Sequence, residues 1–268
     1  VAELDRSLQY YERVIGLRLL DRTDQRAQMG VQPGDPLLEL RERRGARPMP
    51  RRGRLGLYHF AILLPDRVDL GRFVRHLGEL DIPAGMSDHL VSEAIYLHDP
   101  DGLGIEVYAD RPRNTWRYEA GELVMATNPL DVRALIEAGG DRPWMGLPAG
   151  TVIGHVHLYV GDLERADAFY HAALGLDRTV WSYPGALFMS AGGYHHHLGT
   201  NIWAADAPPA GDDDARLLEW ELVVPTAADA GAALERTAAS GSTIEPVPPG
   251  GVVRDPWGTA VRVRAESG

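Results

Sequence analysis

The chain repeats itself, and that limits its fold more than anything else in the sequence. LDRSLQYYERVIGL at residues 4–17 aligns with LERADAFYHAALGL at residues 163–176. Asp99-Pro-Asp-Gly102 aligns with Asp255-Pro-Trp-Gly258. A fixed internal period means that one supersecondary unit has been reused, so the fold must be built from copies that stack or pair. The copies meet in a Gly- and Pro-rich stretch around residues 139–150. The expected organisation is an N-terminal half over 1–122, a linking segment over 123–150, and a C-terminal half over 151–268.

Each half divides again. Strand-like runs open the units at residues 59–64, 152–160 and 220–224. A Pro or Asp follows, then an amphipathic helix, as at 70–80 and 164–174. Shorter strand-like pieces come next, at 94–97, 105–109, 186–190 and 261–264. The unit reads as βαβββ, four times over, with the Asp-Pro-x-Gly pieces as hairpin turns. The first residues read as a strand end entering a helix, which places the first unit's opening strand before Val1.

Composition then removes whole classes of function. With 268 residues and 44% hydrophobic content, the chain can bury one large core or two ordinary ones. No apolar run approaches the roughly 20 residues needed to span a bilayer. The opening residues show no charged-then-apolar leader, and the expectation is a cytoplasmic protein without a membrane role. There is no cysteine, so disulfides, thiolate metal sites and cysteine nucleophiles are excluded. A net charge of -11 argues against nucleic acid as a partner. The one basic run, at residues 41–54, is broken by Gly and Pro and reads as a solvated loop. A homo-oligomer remains compatible with this composition.

Histidine and carboxylate carry the chemical signal. His89 is followed by Tyr96, by the turn Asp99 to Gly102, and by Glu106. Tyr96 and Glu106 fall on strands joined by a tight turn, so both can face one cup. His59 heads the opening strand of the same unit. Two histidines, His155 and His157, share one face of the next opening strand, and His195, His196 and His197 follow near that unit's last strand. The fourth unit has Glu219 and Arg262 where the second has His59 and Glu106, and an arginine is always protonated and does not ligate a metal.

Four such units, with Leu-x-Arg-x-x-x-(Tyr/Phe)-Tyr helices and Asp-Pro-x-Gly turns, resemble the vicinal-oxygen-chelate superfamily. This superfamily holds glyoxalases, bleomycin resistance proteins and extradiol dioxygenases. The resemblance covers nearly the whole chain. It implies an α+β fold of four βαβββ modules paired into two cupped, incomplete β-barrels. The run from His89 to Glu106 resembles the extradiol dioxygenase signature of the catechol 2,3-dioxygenase type. Carried over by position, the resemblance implies metal ligands His59, Glu106 and His155, with His157 competing for the last place. It implies that His89 and Tyr96 handle protons and substrate. It also implies that His197, with His196 as the alternative, meets dioxygen. Tyr194, Asn201 and Trp203, with Tyr108, are the expected substrate walls.

The distribution of these residues suggests a site shared between the second and third modules. The competing arrangement has a histidine on the missing first strand completing a site with the second module. The implied cofactor is iron(II), with manganese(II) as the other candidate ion, and the implied substrates are a small aromatic diol and O2. The expected reaction is ring opening to a muconic semialdehyde. The alternatives on the same fold are a glyoxalase-like metal-dependent isomerase or lyase, and a metal-free protein that binds an aromatic drug.

Overall fold

The computed structural model describes residues 1–31 and 36–266. The first module opens with helix α1, Leu4–Tyr10, which runs on through a π turn at Tyr11–Ile15. Leu4, Leu8, Tyr11 and Ile15 recur every three or four residues, so they share one face, and all are buried. Gly16 ends the helix at φ +89°, a conformation that glycine adopts without penalty. A Cβ there would also sit 2.7 Å from the Gly146 Cα. Strands β1 (Arg18–Arg22), β2 (Arg26–Gly30) and β3 (Pro36–Arg41) follow as an antiparallel sheet in sequence order.

The second module is β4 (Gly56–Leu63), α2 (Arg67–Glu79), β5 (Gly85–Asp88), β6 (Ser92–His98) and β7 (Gly104–Asp110). Its strand order is β4-β7-β6-β5, with β4 and β7 parallel and the others antiparallel. Asp66 caps α2 by accepting from the Asp69 amide at 2.9 Å. Strand periodicity then divides the sheet into two faces. Phe60, Ile62, Ile95, Ile105 and Val107 alternate with the residues of the site, and are buried, as are Leu70, Phe73, Val74 and Leu77 of α2.

A two-stranded hairpin, β8 (Tyr118–Glu119) and β9 (Glu122–Leu123), leads to α3 (Val132–Gly139), which packs on α2. The crossing is close because both helices place a glycine there. A Cβ on Gly71 would lie 2.2 Å from the Leu135 carbonyl oxygen. Arginines of α2 donate to carbonyls that α3 leaves unsatisfied at its C-terminal end: Arg75 to Ile136 at 3.1 Å and Arg72 to Gly139 at 3.1 Å.

The third module is β10 (Val152–Tyr159), α4 (Leu163–Asp167) with a π turn at Ala168–Ala173, then β11 (Asp177–Val180), β12 (Ala186–Ser190) and β13 (Leu198–Asn201). The fourth is β14 (Glu219–Val224), α5 (Ala227–Ala239), β15 (Glu245–Pro246), β16 (Gly250–Arg254) and β17 (Ala260–Ala265). Its sheet order, β14-β17-β16-β15, repeats that of the second module. Among the described residues, no helix is long and apolar enough to cross a membrane.

The chain forms two compact units. The first is Val1–Pro50, His59–His155 and Asp212–Ala215, and the second is Arg51–Tyr58, Val156–Gly211 and the chain from Arg216 onward. Strand β10 therefore contributes Val152–His155 to the first unit. Part of the basic run, expected to be a solvated loop, is paired. Arg43 and Arg47 donate to Asp213 and Asp214 at 2.7 and 3.1 Å, and the Ala215 amide donates to the Arg47 carbonyl at 2.8 Å.

Candidate metal centre

In the second module's sheet, Glu106 of β7 pairs in register with Ala61 of β4 on one side and Tyr96 of β6 on the other. Paired residues point to the same face, and so do residues two apart on a strand. His59, Ala61, Tyr96, Ala94, Glu106 and Tyr108 therefore share one face. Ala61 and Ala94 are small, and they pack with Tyr108, Leu63 and Tyr96. The small residues leave room above the sheet for the imidazole and carboxylate groups.

His155 reaches the same place from β10. Its Nε2 lies 3.3 Å from Glu106 Oε2, and His59 Nε2 lies 3.0 Å from the same oxygen. The two imidazole centres are 5.5 Å apart. A ligand atom from each of His59, Glu106 and His155 falls within 4.8 Å of the others, and all three side chains are buried. Gly154 is required beside them, because a Cβ there would lie 1.9 Å from the Tyr108 hydroxyl. The Tyr108 ring centre stands 4.9 Å from that of His155.

Burial pushes the Glu106 carboxyl up, but the His155 and His59 imidazoles overcome this and hold it well below the usual carboxylate range. A buried carboxylate kept ionised between two imidazoles fits a divalent cation. Two nitrogens and one oxygen also form the facial set that suits iron(II) with positions left open. His59, Glu106 and His155 are thus the residues able to hold such an ion.

His89 stands at the rim. It lies in the turn between β5 and β6, where Leu90 adopts φ +70°, an uncommon value for a leucine. Asp88 supports the turn by accepting from the Leu90 amide at 2.8 Å and from Arg111 at 2.7 Å. His89 Nε2 is 2.7 Å from the Tyr96 hydroxyl, and its Nδ1 is 2.7 Å from the Ala126 carbonyl oxygen. The Tyr96 ring centre is 5.6 Å from that of His59. His89 and Tyr96 are thus one hydrogen-bonded pair next to the buried trio. Nothing in the side-chain pattern pointed to Ala126, because it acts through its main chain.

The other expected residues fall in the second unit. His157 is buried there, with its Nε2 2.9 Å from the Asn201 side-chain amide. Its ring occupies the space that a side chain on Gly199 would need, 2.9 Å from a Cβ built there, and it meets Tyr58 edge-on at 5.1 Å. Trp203 packs with Tyr58 and Tyr159, and its ring centre is 5.9 Å from that of His157. Tyr194, His195, His196 and His197 form a second cluster. His195 and His196 bring their Nδ1 atoms within 2.7 Å, and Tyr194 stacks at 4.0 Å on His195 and 4.9 Å from His197. His197 Nδ1 accepts from the Ala191 amide at 3.2 Å. In the fourth module, Arg262 donates to Glu219 at 2.6 Å, so the positions that match His59 and Glu106 hold an ion pair.

Comparison with known proteins agrees with this architecture. A Bacillus subtilis (strain 168) protein named catechol-2,3-dioxygenase is 46% identical over 260 residues, covering 96% of this chain and 91% of that protein. A crystal structure from Bacillus subtilis subsp. subtilis str. 168 superposes with a TM-score of 0.67 at 15% identity, covering 100% of this chain and 83% of that one. Glyoxalase I from Zea mays superposes with a TM-score of 0.55 at 19% identity, covering 98% and 88% of the two chains. These two structural likenesses establish the fold alone: mixed α+β, with repeated modules whose curled sheets form cupped, incomplete barrels. The description "Glyoxalase/Bleomycin resistance protein/Dioxygenase superfamily" matches residues 1–107 and 152–263, and the chain belongs to that superfamily.

Proposed function

We propose that this protein is an extradiol ring-cleavage dioxygenase, which opens a small catecholic ring with O2 to a muconic semialdehyde at an iron(II) held by His59, Glu106 and His155. The observation that carries this reading is the buried convergence of two imidazoles and one ionised carboxylate. The 46% identity to a protein named catechol-2,3-dioxygenase supports the choice of substrate class. Manganese(II) fits the same ligands.

Iron(II) at such a site supplies open positions for two vicinal oxygens and for dioxygen. Both atoms of O2 enter the product, so the reaction needs no outside reductant. The residues of this chain manage protons. A neutral His89 that donates through Nδ1 to the Ala126 carbonyl has a bare Nε2, which accepts from Tyr96. The Tyr96 oxygen can then take a proton from a substrate hydroxyl while its own proton passes to His89. The imidazole can return that proton later in the reaction, acting in turn as general base and general acid. His89 is half-buried, so it can also exchange with solvent. The role of His197 on the dioxygen side, and of Tyr194, Asn201 and Trp203 as substrate walls, rests on the resemblance in sequence position.

Anaerobic reconstitution with iron(II), followed by catechol and then air, tests the reading. Oxygen uptake equal to the catechol consumed, with a yellow semialdehyde, is the expected outcome. Metal binding without oxygen uptake would point instead to an isomerase or lyase on this fold. Failure to bind any divalent ion would point to a binding protein.

A further inference from the structure

We infer that the segment Ala126 to Asn128, after the β8-β9 hairpin, is a main-chain strap that sets the tautomer and aim of His89. This inference rests on the acid–base reading of His89 given above. The strap lies along the edge of the second module's sheet as a short antiparallel bridge between Asp88 and Asn128. The Asp88 amide donates to the Asn128 carbonyl at 2.9 Å, and the Asn128 amide donates back to the Asp88 carbonyl at 2.9 Å. The reciprocal pair holds the strap against the turn that carries His89, and the Ala126 amide donates to the His89 carbonyl at 3.5 Å.

The consequence for the imidazole is strict. A carbonyl oxygen can only accept, so at 2.7 Å His89 Nδ1 must carry a hydrogen. Nε2, 2.7 Å from Tyr96, is then the bare nitrogen of the neutral ring and the only one that can take a proton. Without the strap, the ring can rotate or change tautomer. Nε2–H would then face Tyr96, and the path from the tyrosine would be blocked. The Thr127 and Asn128 side chains are exposed, and the strap meets Asp88 and His89 through its main chain. A carboxylate in the place of Ala126 O would hold the same tautomer but would also bind the charged ring tightly. A neutral carbonyl orients the ring and leaves it able to release its proton.

Asn128→Pro removes one of the two bridging amide hydrogens and leaves His89, Tyr96 and the metal-binding trio untouched. Turnover should fall about tenfold or more, because a small misplacement of a reacting group is costly. Metal content and KM should stay near their original values. The same substitution in a His89→Ala background should cause no further loss, because the strap has nothing left to aim. A purely structural role would lower turnover equally in both backgrounds and would overturn the inference. If His89→Ala alone leaves turnover unchanged, the acid–base reading fails instead.

A spectroscopic readout stands apart from activity. In zinc(II)-loaded protein with 15N-labelled histidine, the resonance pair lost in His89→Ala belongs to His89. It should show one protonated and one bare nitrogen, with the hydrogen on Nδ1. Asn128→Pro should mix the two tautomers. A hydrogen on Nε2 in the unaltered protein overturns the inference, even if the proline variant fails to fold.

Discussion

At the scale of single residues, much of the candidate centre was legible in the sequence. His59 and His155 each stand seven residues before an aspartate, Asp66 or Asp162, that caps the following helix. That shared spacing marks them as equivalent positions in two copies of one module. The sequence left His155 and His157 open because both lie on one face of one strand. The structure separates them by their neighbours: His155 meets Glu106, whereas His157 lies over Gly199 against Asn201. The Ala126 carbonyl could not be read from sequence at all, since every residue offers one. Two predictions belong to this scale. Glu106→Ala should keep the fold and lose tight metal binding, as read by metal content after gel filtration. Stoichiometric metal in that variant would remove Glu106 from the ligand set. His197→Phe and His89→Ala should keep the metal and lose on the order of 10²-fold in turnover, as removal of an acid–base group does. Steady-state oxygen uptake measures this, and unchanged rates in both would refute the roles.

At the scale of elements, the Asp-Pro-x-Gly turns do more than reverse the chain. Asp99 accepts from the Asp101 and Leu103 amides at 2.9 and 2.8 Å, and Asp255 accepts from the Trp257 and Thr259 amides at 3.0 and 2.8 Å. The other carboxylate oxygen of each takes a hydroxyl from a helix of the preceding module: Tyr11 to Asp99 at 3.1 Å and Tyr170 to Asp255 at 2.8 Å. The repeated Tyr and the repeated Asp were both visible as repeats, but their partnership is long-range and leaves no local signal. Tyr170→Phe removes a donor from a buried carboxylate and should cost about 1–3 kcal/mol in urea denaturation. Burial raises the Asp99 carboxyl to about 6, against an unfolded value near 3.8. Between these values the folded chain holds a proton that the unfolded chain has lost. Stability from this group is therefore full below the unfolded value and lost as pH rises towards 6. Relative to Asp99→Asn, the unaltered protein should lose roughly 2 kcal/mol between pH 4 and 6. Parallel denaturation curves for the two proteins across that window would show that Asp99 does not titrate as described. The α2–α3 crossing gives one more test: Gly71→Ala should destabilise by about 1–3 kcal/mol, because its Cβ would meet backbone that cannot move aside.

At the scale of the whole molecule, the internal repeat carried the fold. Two aligned helices, a further amphipathic helix at 70–80 and two matching turns were enough to read βαβββ modules, and the element order follows them. Segments that come together within one compact unit from far apart in the sequence were not legible. The acidic segment Asp212–Ala215 pairs with Arg43 and Arg47, although neither run has a periodicity that names its partner. The placement of His155 in the first unit has the same origin, since it depends on which strand the first half of β10 lies beside. The account's central claim is that His59, Glu106 and His155 together hold one metal ion. Anomalous diffraction at the iron edge, from crystals grown anaerobically with iron(II), tests it most directly. A single peak about 2.0–2.3 Å from His59 Nε2, His155 Nε2 and a Glu106 oxygen is the expected result, by analogy with other divalent sites. A peak at His157 or in the Tyr194–His197 cluster, with none at Glu106, would contradict it.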